Sequence, residues 1–524
     1  MDPTPNKWIV AFSVALGALM ATIDSSIINV ALPHIRGSLG ASIGEITWIS
    51  SAYIIAMVLV MPLTGVLGAL LGQKRLYLSS LILFIVGSVL CGMASSLPML
   101  IFFRIIQGIA AGSLQPSQQA ILRQTFPVEE QGVAMSLFAA VIMIGPSLGP
   151  TLGGFLTDRF SWPWIFYVNV PVGIIAVFMT WRNVNEPQDI RQANEKKSLL
   201  LRKNLDWVGI CLLVIGVSTL QVMLEEGPSQ EWLHSPRILV LGIFATFSLV
   251  FFVVWELYIP HPIIQLRLFQ NRAFFSATFI GGLLFALLMG NMFLLPLYMQ
   301  EILGFNATLS GFLLMPRSLI MIVVTPLVGK IYNQISPAIL LGSGVVFFVV
   351  GNLYLSTLTA QSSFSDIVIP LLLNGIGLSC LLVPLTTLAL SQIPRHELSA
   401  AAGLNSFMRQ IGSAFGLTFS ATFLTQFSMQ AREALSGHVT GLRPEVWQQG
   451  GTPMQEQLAL GRASPMISGS WLQGVVHQVH QQAMMVAFDK VFLLQGLILL
   501  IVLPLLFFLR VPPISKKEEV YVEI

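Results

Sequence analysis

Long apolar runs, not alternating stretches, dominate this chain. Segments of about 20 mostly apolar residues, enough to cross a bilayer as a helix, recur near 8–31, 47–71, 76–95, 98–118, 132–156, 163–181, 206–224, 238–258, 274–300, 309–331, 337–359, 366–391, 400–425 and 488–510. The pattern predicts fourteen spanning helices. The runs are too long, and alternate too little, for the strands of a lipid-facing barrel. The first run exceeds the apolar core of a signal peptide and no small-residue cleavage site follows it, so it is expected to be retained.

Basic residues then set the orientation. With the first end inside, seventeen Lys and Arg fall in cytoplasmic segments and six in outer ones. The excess predicts both termini in the cytoplasm. Composition agrees. Of 524 residues, 55% are hydrophobic and 10% charged, against about a quarter charged in a soluble domain. A net charge of +3 is too small to suggest nucleic-acid binding. Cys91, Cys211 and Cys380 lie in separate apolar runs without a CxxC pair, which favours packing over metal binding or a disulfide.

The sequence also repeats. A shift of 267 places Gln107-Gly108 on Asn374-Gly375, Pro127 on Pro394, Glu130 on Glu397, Gly145 on Gly412 and Gly149 on Gly416. A shift of 264 places Pro62-Leu63-Thr64-Gly65 on Pro326-Leu327-Val328-Gly329. Matching helices run the same way, so the repeat is parallel, the arrangement of two bundles that rock about a midplane site. The division expected is a six-helix bundle over 1–181, a basic cytoplasmic connector over 182–205, and two inserted helices over 206–258. A second six-helix bundle over 259–524 includes a large outer loop, 426–487. The fold class is an all-α polytopic membrane protein.

Asp24 is the only carboxylate that this reading puts well inside a span. Counted along their helices, Asp24 and Arg104 lie about 10 and 9 Å below the outer surface, so an ion pair is feasible. The pair reads either as a structural clamp or as a proton site in which burial and the guanidinium oppose each other on the carboxyl group. Arg104, Gln107, Gly108, Ala111 and Gln115 share one face of the fourth helix. With Ser26, Asn29 and Asn405, that polar stripe fits a water-filled cavity or a neighbouring helix. Gly145, Gly149 and Gly153 recur every four residues beside Gly154, Pro146 and Pro150, a pattern for close helix approach and bending.

These residues resemble the major facilitator superfamily, specifically its fourteen-span drug:proton antiporters of the EmrB-like kind. The resemblance rests on the stretch from Ile23 to Pro33, on Arg104-Ile105-Ile106-Gln107-Gly108, on the run Gly145 to Gly154, and on Trp164 to Pro171. It implies proton coupling at Asp24 and Arg104, and an antiporter motif in the fifth helix that points to efflux. It also implies alternating access by two rocking halves, and docking of a periplasmic membrane-fusion adaptor and outer-membrane channel on the outer loop. An importer of the same fold, or a transporter of an endogenous metabolite or lipid, is the alternative. In the gate loop, Gly65, Gly72, Lys74 and Arg75 match the family, but Ala69 stands where an acid is usual.

Two more arginines bear on cargo. Arg317 and Arg409 lie about 12 and 14 Å into their helices. An excess of buried cations favours anionic or weakly acidic lipophilic substrates; contacts with helix-end carbonyls or snorkelling are the plainer explanation. Tyr53, Met292, Phe293, Tyr298, Phe407 and Met408 suit an adaptable apolar wall, or simple packing. Trp471, Leu472, Val475, Val476 and Val479 form an apolar stripe at the end of the outer loop, which reads as an interfacial helix or as part of the adaptor dock. No GxxxxGK[ST] or HExxH occurs, so no enzyme activity is expected, and no cofactor. His477 and His480 lack a third ligand by spacing, so no metal is expected. The expected partners are membrane lipid, protons and a lipophilic small molecule.

Overall fold

A computed structural model describes residues 6–203, 206–260, 262–332, 334–437 and 465–501. The first bundle is built from α1 (Lys7–Leu39), α2 (Trp48–Leu71), α3 (Gln73–Gly92), α4 (Leu97–Thr125), α5 (Gln131–Arg159) and α6 (Trp164–Asn183). A connector helix, Gln188–Lys203, leads to the inserted pair α7 (Trp207–Glu226) and α8 (Pro236–Tyr258). The second bundle holds α9 (Arg272–Glu301), α10 (Ala307–Ile331), α11 (Pro337–Leu355), α12 (Phe364–Ser391), α13 (Leu398–Ser436) and α14 (Pro465–Leu500). Each apolar run therefore coincides with a long helix. Chain segment 438–464 of the outer loop, and 502–510 of the last run, lie outside the described residues.

Apolarity alone does not give fourteen spans. Twelve of the described helices are long and apolar enough to cross a membrane. A thirteenth, α5, qualifies only as two segments bent by 41° between Pro146 and Thr151, at the Gly/Pro run where backbone hydrogen bonding is interrupted. The remaining helix, α13, carries Asn405, Ser406, Arg409 and Gln410 and is too polar to qualify, yet it packs between α9 and α14. A polar helix is tolerated in a membrane when other helices shield it from lipid.

The two bundles repeat one pairing scheme. In the first, α1 packs on α5 and α6, and α4 on α2 and α3; in the second, α9 packs on α13 and α14, and α12 on α10 and α11. The bundles meet through α2 and α4 on α13, and through α5 on α10 and α12. This seam is tightest at the face where the chain begins. A Cβ on Gly65 would stand 2.6 Å from Ala400 Cβ, one on Gly403 2.5 Å from the Met61 carbonyl, and one on Gly132 2.8 Å from the Gly329 carbonyl. Ser399 Oγ donates to the Thr64 carbonyl at 3.1 Å. Glycine lets the backbones touch there, so van der Waals contact closes that face.

The inserted pair leans on both bundles. The Leu224 carbonyl of α7 accepts from Thr418 Oγ1 of α13 at 2.8 Å, and Ser51 Oγ of α2 donates to the Glu225 carboxylate. Just beyond α7, Trp232 Nε1 donates to Thr422 Oγ1 at 3.1 Å.

A Gly403→Val substitution should push this seam apart at a cost of about 1–3 kcal/mol, as overpacking does. Cysteines introduced at Thr64 and Ser399 should cross-link readily in the parent. With Gly403→Val added, the yield should fall about tenfold; an unchanged yield would show the seam does not depend on that contact.

Candidate functional site

The polar centre of the first bundle is built from five helices. Asp24 of α1 and Arg104 of α4 meet at 2.7 Å, both side chains fully buried. Burying either charge alone would cost several kcal/mol, so each requires the other. The second carboxylate oxygen, Oδ1, accepts from Gln107 Nε2 at 2.9 Å and from Asn169 Nδ2 at 2.7 Å. Ser88 Oγ of α3 accepts from Gln107 Nε2 at 2.8 Å and from Asn169 Nδ2 at 3.4 Å. Three donors thus converge on one carboxylate.

The guanidinium also has contacts other than Asp24. Arg104 Nη1 also donates to Gln107 Oε1 at 2.7 Å, and Nε to the Ile49 carbonyl of α2 at 3.3 Å. Its carbon lies 4.1 Å from the Tyr53 ring centroid and 5.7 Å from that of Phe166, within cation–π range. Tyr53, whose chemistry suits an apolar wall, is thus buried against the arginine.

The glycine run on α5 faces the same stretch of α1. Side chains added at Gly145, Gly149 and Gly153 would run into Thr22, Ser26 and Ile27 respectively, while Gly154 is looser, with Val30 at 3.9 Å. These contacts bracket Asp24 along α1. Ser26 Oγ donates to the Thr22, Ile23 and Gly145 carbonyls, so it joins α1 to α5.

The model for the Major Facilitator Superfamily matches residues 14–417. The chain belongs to the major facilitator superfamily. It is 34% identical over 443 residues to the multidrug export protein EmrB of Haemophilus influenzae, spanning 83% of this chain and 84% of that one. It is 29% identical to the fatty acid resistance protein FarB of Neisseria gonorrhoeae, with 98% of each chain aligned. Its fold is similar to that of the human organic anion transporter MFSD10 (TETRAN), with a TM-score of 0.57 at 15% identity, over 94% of this chain and all of that one. As a major facilitator, it is a transporter and not an enzyme.

Other positions in this major facilitator chain spread over several environments. Asn405 Nδ2 donates across the seam to Gln119 Oε1 at 3.3 Å; Gln115 is half-buried and Asn29 exposed. Arg409 is buried, with its guanidinium carbon 5.4 Å from the Phe138 ring of the first bundle and 5.3 Å from Phe285. Its Nε donates to the Asn405 carbonyl at 3.4 Å, while both terminal nitrogens lack partners. Arg317 is 4% exposed and makes no ion pair among the described residues. Met292, Phe293, Phe407 and Met408 are half-buried. Tyr298 is enclosed in the second bundle, where its hydroxyl donates to the Thr359 carbonyl at 2.8 Å and its ring meets Phe488 edge-on.

Two results differ from the sequence reading. Asp24 is joined by other acids inside the helices: Glu256 is buried near the end of α8, and Asp489 of α14 is half-buried with Oδ1 unpartnered. The gate loop, acid-free at buried Ala69, receives a carboxylate from the connector. Glu186 accepts from the Gln73 backbone at 3.2 Å and from Asn194 Nδ2 at 2.9 Å. It also stands where a side chain on Gly72, whose φ is +84°, would go. Lys74 is half-buried and Arg75 exposed at the same loop.

Asp24→Asn and Arg104→Gln should each lower thermal stability by about 3–5 kcal/mol, because each strands a buried charge. The double variant should recover more than half of that loss in a melting experiment on purified protein. Additive losses would mean that the two groups do not depend on each other.

Proposed function

We propose that this protein is a proton-coupled exporter of lipophilic toxic compounds, driving efflux across the bacterial inner membrane by alternating access. The observation that carries the reading is the enclosed Asp24–Arg104 pair with its three donors to the carboxylate. Protonation removes the charge from Asp24 and turns one of its acceptor oxygens into a donor, which breaks the match with Arg104. Arg104 keeps Gln107, the Ile49 carbonyl and the Tyr53 ring as alternative support. The change then reaches α5 through the glycine contacts that bracket Asp24, and α5 touches the other bundle at Gly132 and Gly329. Local proton exchange is thereby linked to the seam.

The positive-inside orientation makes the tightly closed face cytoplasmic, which corresponds to a state open towards the outside. Likeness to EmrB and FarB favours export of drugs or fatty acids. Arg409 favours cargo of negative charge: a buried cation with two unpartnered nitrogens between aromatic rings suits an anionic headgroup on an apolar body. Arg317 adds a second buried cation. The outer loop over 426–487 is proposed as the dock for a periplasmic adaptor.

In everted vesicles, adding drug to an energised membrane should release protons, and Asp24→Asn should abolish gradient-driven transport while leaving drug binding within about twofold. Transport that persists in this variant removes Asp24 from the coupling. Arg317→Gln and Arg409→Gln should reduce resistance to acidic toxicants about tenfold more than resistance to cationic ones. Equal loss for both classes sinks the preference for anions.

A further inference from the structure

The second bundle contains a polar centre that the proton reading does not use. The repeat offsets put Asn291 of α9 at the place of Asp24, Asn374 of α12 at that of Gln107, and Asn352 of α11 at that of Ser88; Leu371 replaces Arg104. Packing keeps this register. A side chain on Gly108 would strike the Tyr53 carbonyl, and one on Gly375 would stand 2.8 Å from the carbonyl of Arg317, the residue at Tyr53's place. On α14, the helix that corresponds to α6, Gln495 Nε2 stands 2.5 Å from where a Cβ on Gly290, the neighbour of Asn291, would be, and a Cβ on Gly496 would stand 3.3 Å from that of Asn352. Gln495 also donates to Ser420 Oγ at 2.9 Å.

This centre has no charge and is incompletely paired. Asn291 Nδ2 and Asn374 Nδ2 both donate to Asn352 Oδ1, at 3.3 and 3.5 Å, long for amide hydrogen bonds. Asn291 Oδ1, Asn352 Nδ2, Asn374 Oδ1 and Gln495 Oε1 have no partner, and all four residues are at most 1% exposed. Rotating the amides does not cure this. Turning Asn352 alone sets N–H against two N–H groups, and turning all three merely exchanges which atoms are orphaned. Each orphan costs about 1–3 kcal/mol in a dry interior.

We propose that Asn291, Asn352, Asn374 and Gln495 form a buried water-binding site, the uncharged counterpart of the Asp24 centre. Water both donates and accepts, as an orphan set of one N–H and three carbonyl oxygens requires. A metal cation would find an amide N–H and no carboxylate among these ligands, and an anion would find mostly carbonyl oxygens. The site stands on burial and hydrogen bonding alone, whether or not Asp24 carries protons.

The direct test is a map of the full chain at a resolution that shows ordered water. Density within hydrogen-bond distance of at least two of the four orphan atoms is expected. Amides rearranged to pair with one another, with no density between them, would overturn the site. The counterpart relation is tested by Asn291→Asp with and without Leu371→Arg. The single variant should lose about 5 °C in melting midpoint as pH rises from about 5 to about 8, because one or two waters do not solvate a buried carboxylate. The double variant should regain more than half of that loss. No pH-dependent loss would mean that the site opens to bulk solvent, and a double variant no better than the single one would refute the correspondence. Should neither variant accumulate, the map of the unaltered protein still decides whether water is bound.

Discussion

A carboxylate sealed away from water tolerates few arrangements. Asp24 stands at a place with no solvent, so the chain must supply what water would have given a carboxylate: an opposite charge and hydrogen-bond donors. Arg104, Gln107 and Asn169 do this from α4 and α6, Ser88 steadies the amides from α3, and Ile49 and Tyr53 brace the guanidinium from α2. Four helices are therefore fixed relative to α1 by one charge. The glycines of α5 follow from the same demand, because α1 can present Asp24 inward only if its other side packs against a partner without side chains in the way.

How much of this was legible varies with what each feature needs. Helices of spanning length follow apolar runs, so every run in the sequence corresponds to a helix, although α13 is too polar to qualify as a span by apolarity alone. Their ends were less readable: α13 continues to Ser436 and α14 begins at Pro465, since a helix outside the hydrocarbon layer need not be apolar. Asp24 and Arg104 could be matched by depth, because charges inside apolar runs are rare and expensive. Asn169 and Ser88 could not. A single small polar residue in a spanning helix carries no spacing signal, and only tertiary packing reveals that it faces a carboxylate.

Helices that are apolar all round hide their facing too. Tyr298 and Phe293 lie on one such helix, and sequence alone gave no means of telling a bundle interior from a cavity wall. The gate loop illustrates a different limit. Its missing acid is made good by Glu186, more than a hundred positions away, because a carboxylate is required near the loop in space and not at a fixed place along it.

The contacts of α7 have a consequence for movement. Leu224 and Glu225 hold on to α13 and α2, one helix from each half, while Trp232 anchors the following turn to α13. If the halves swing, these attachments cannot all persist unchanged. Either one is surrendered at each stroke or the hairpin travels with a single half, and in both cases its grip sets how far the halves can part before a hydrogen bond must be given up.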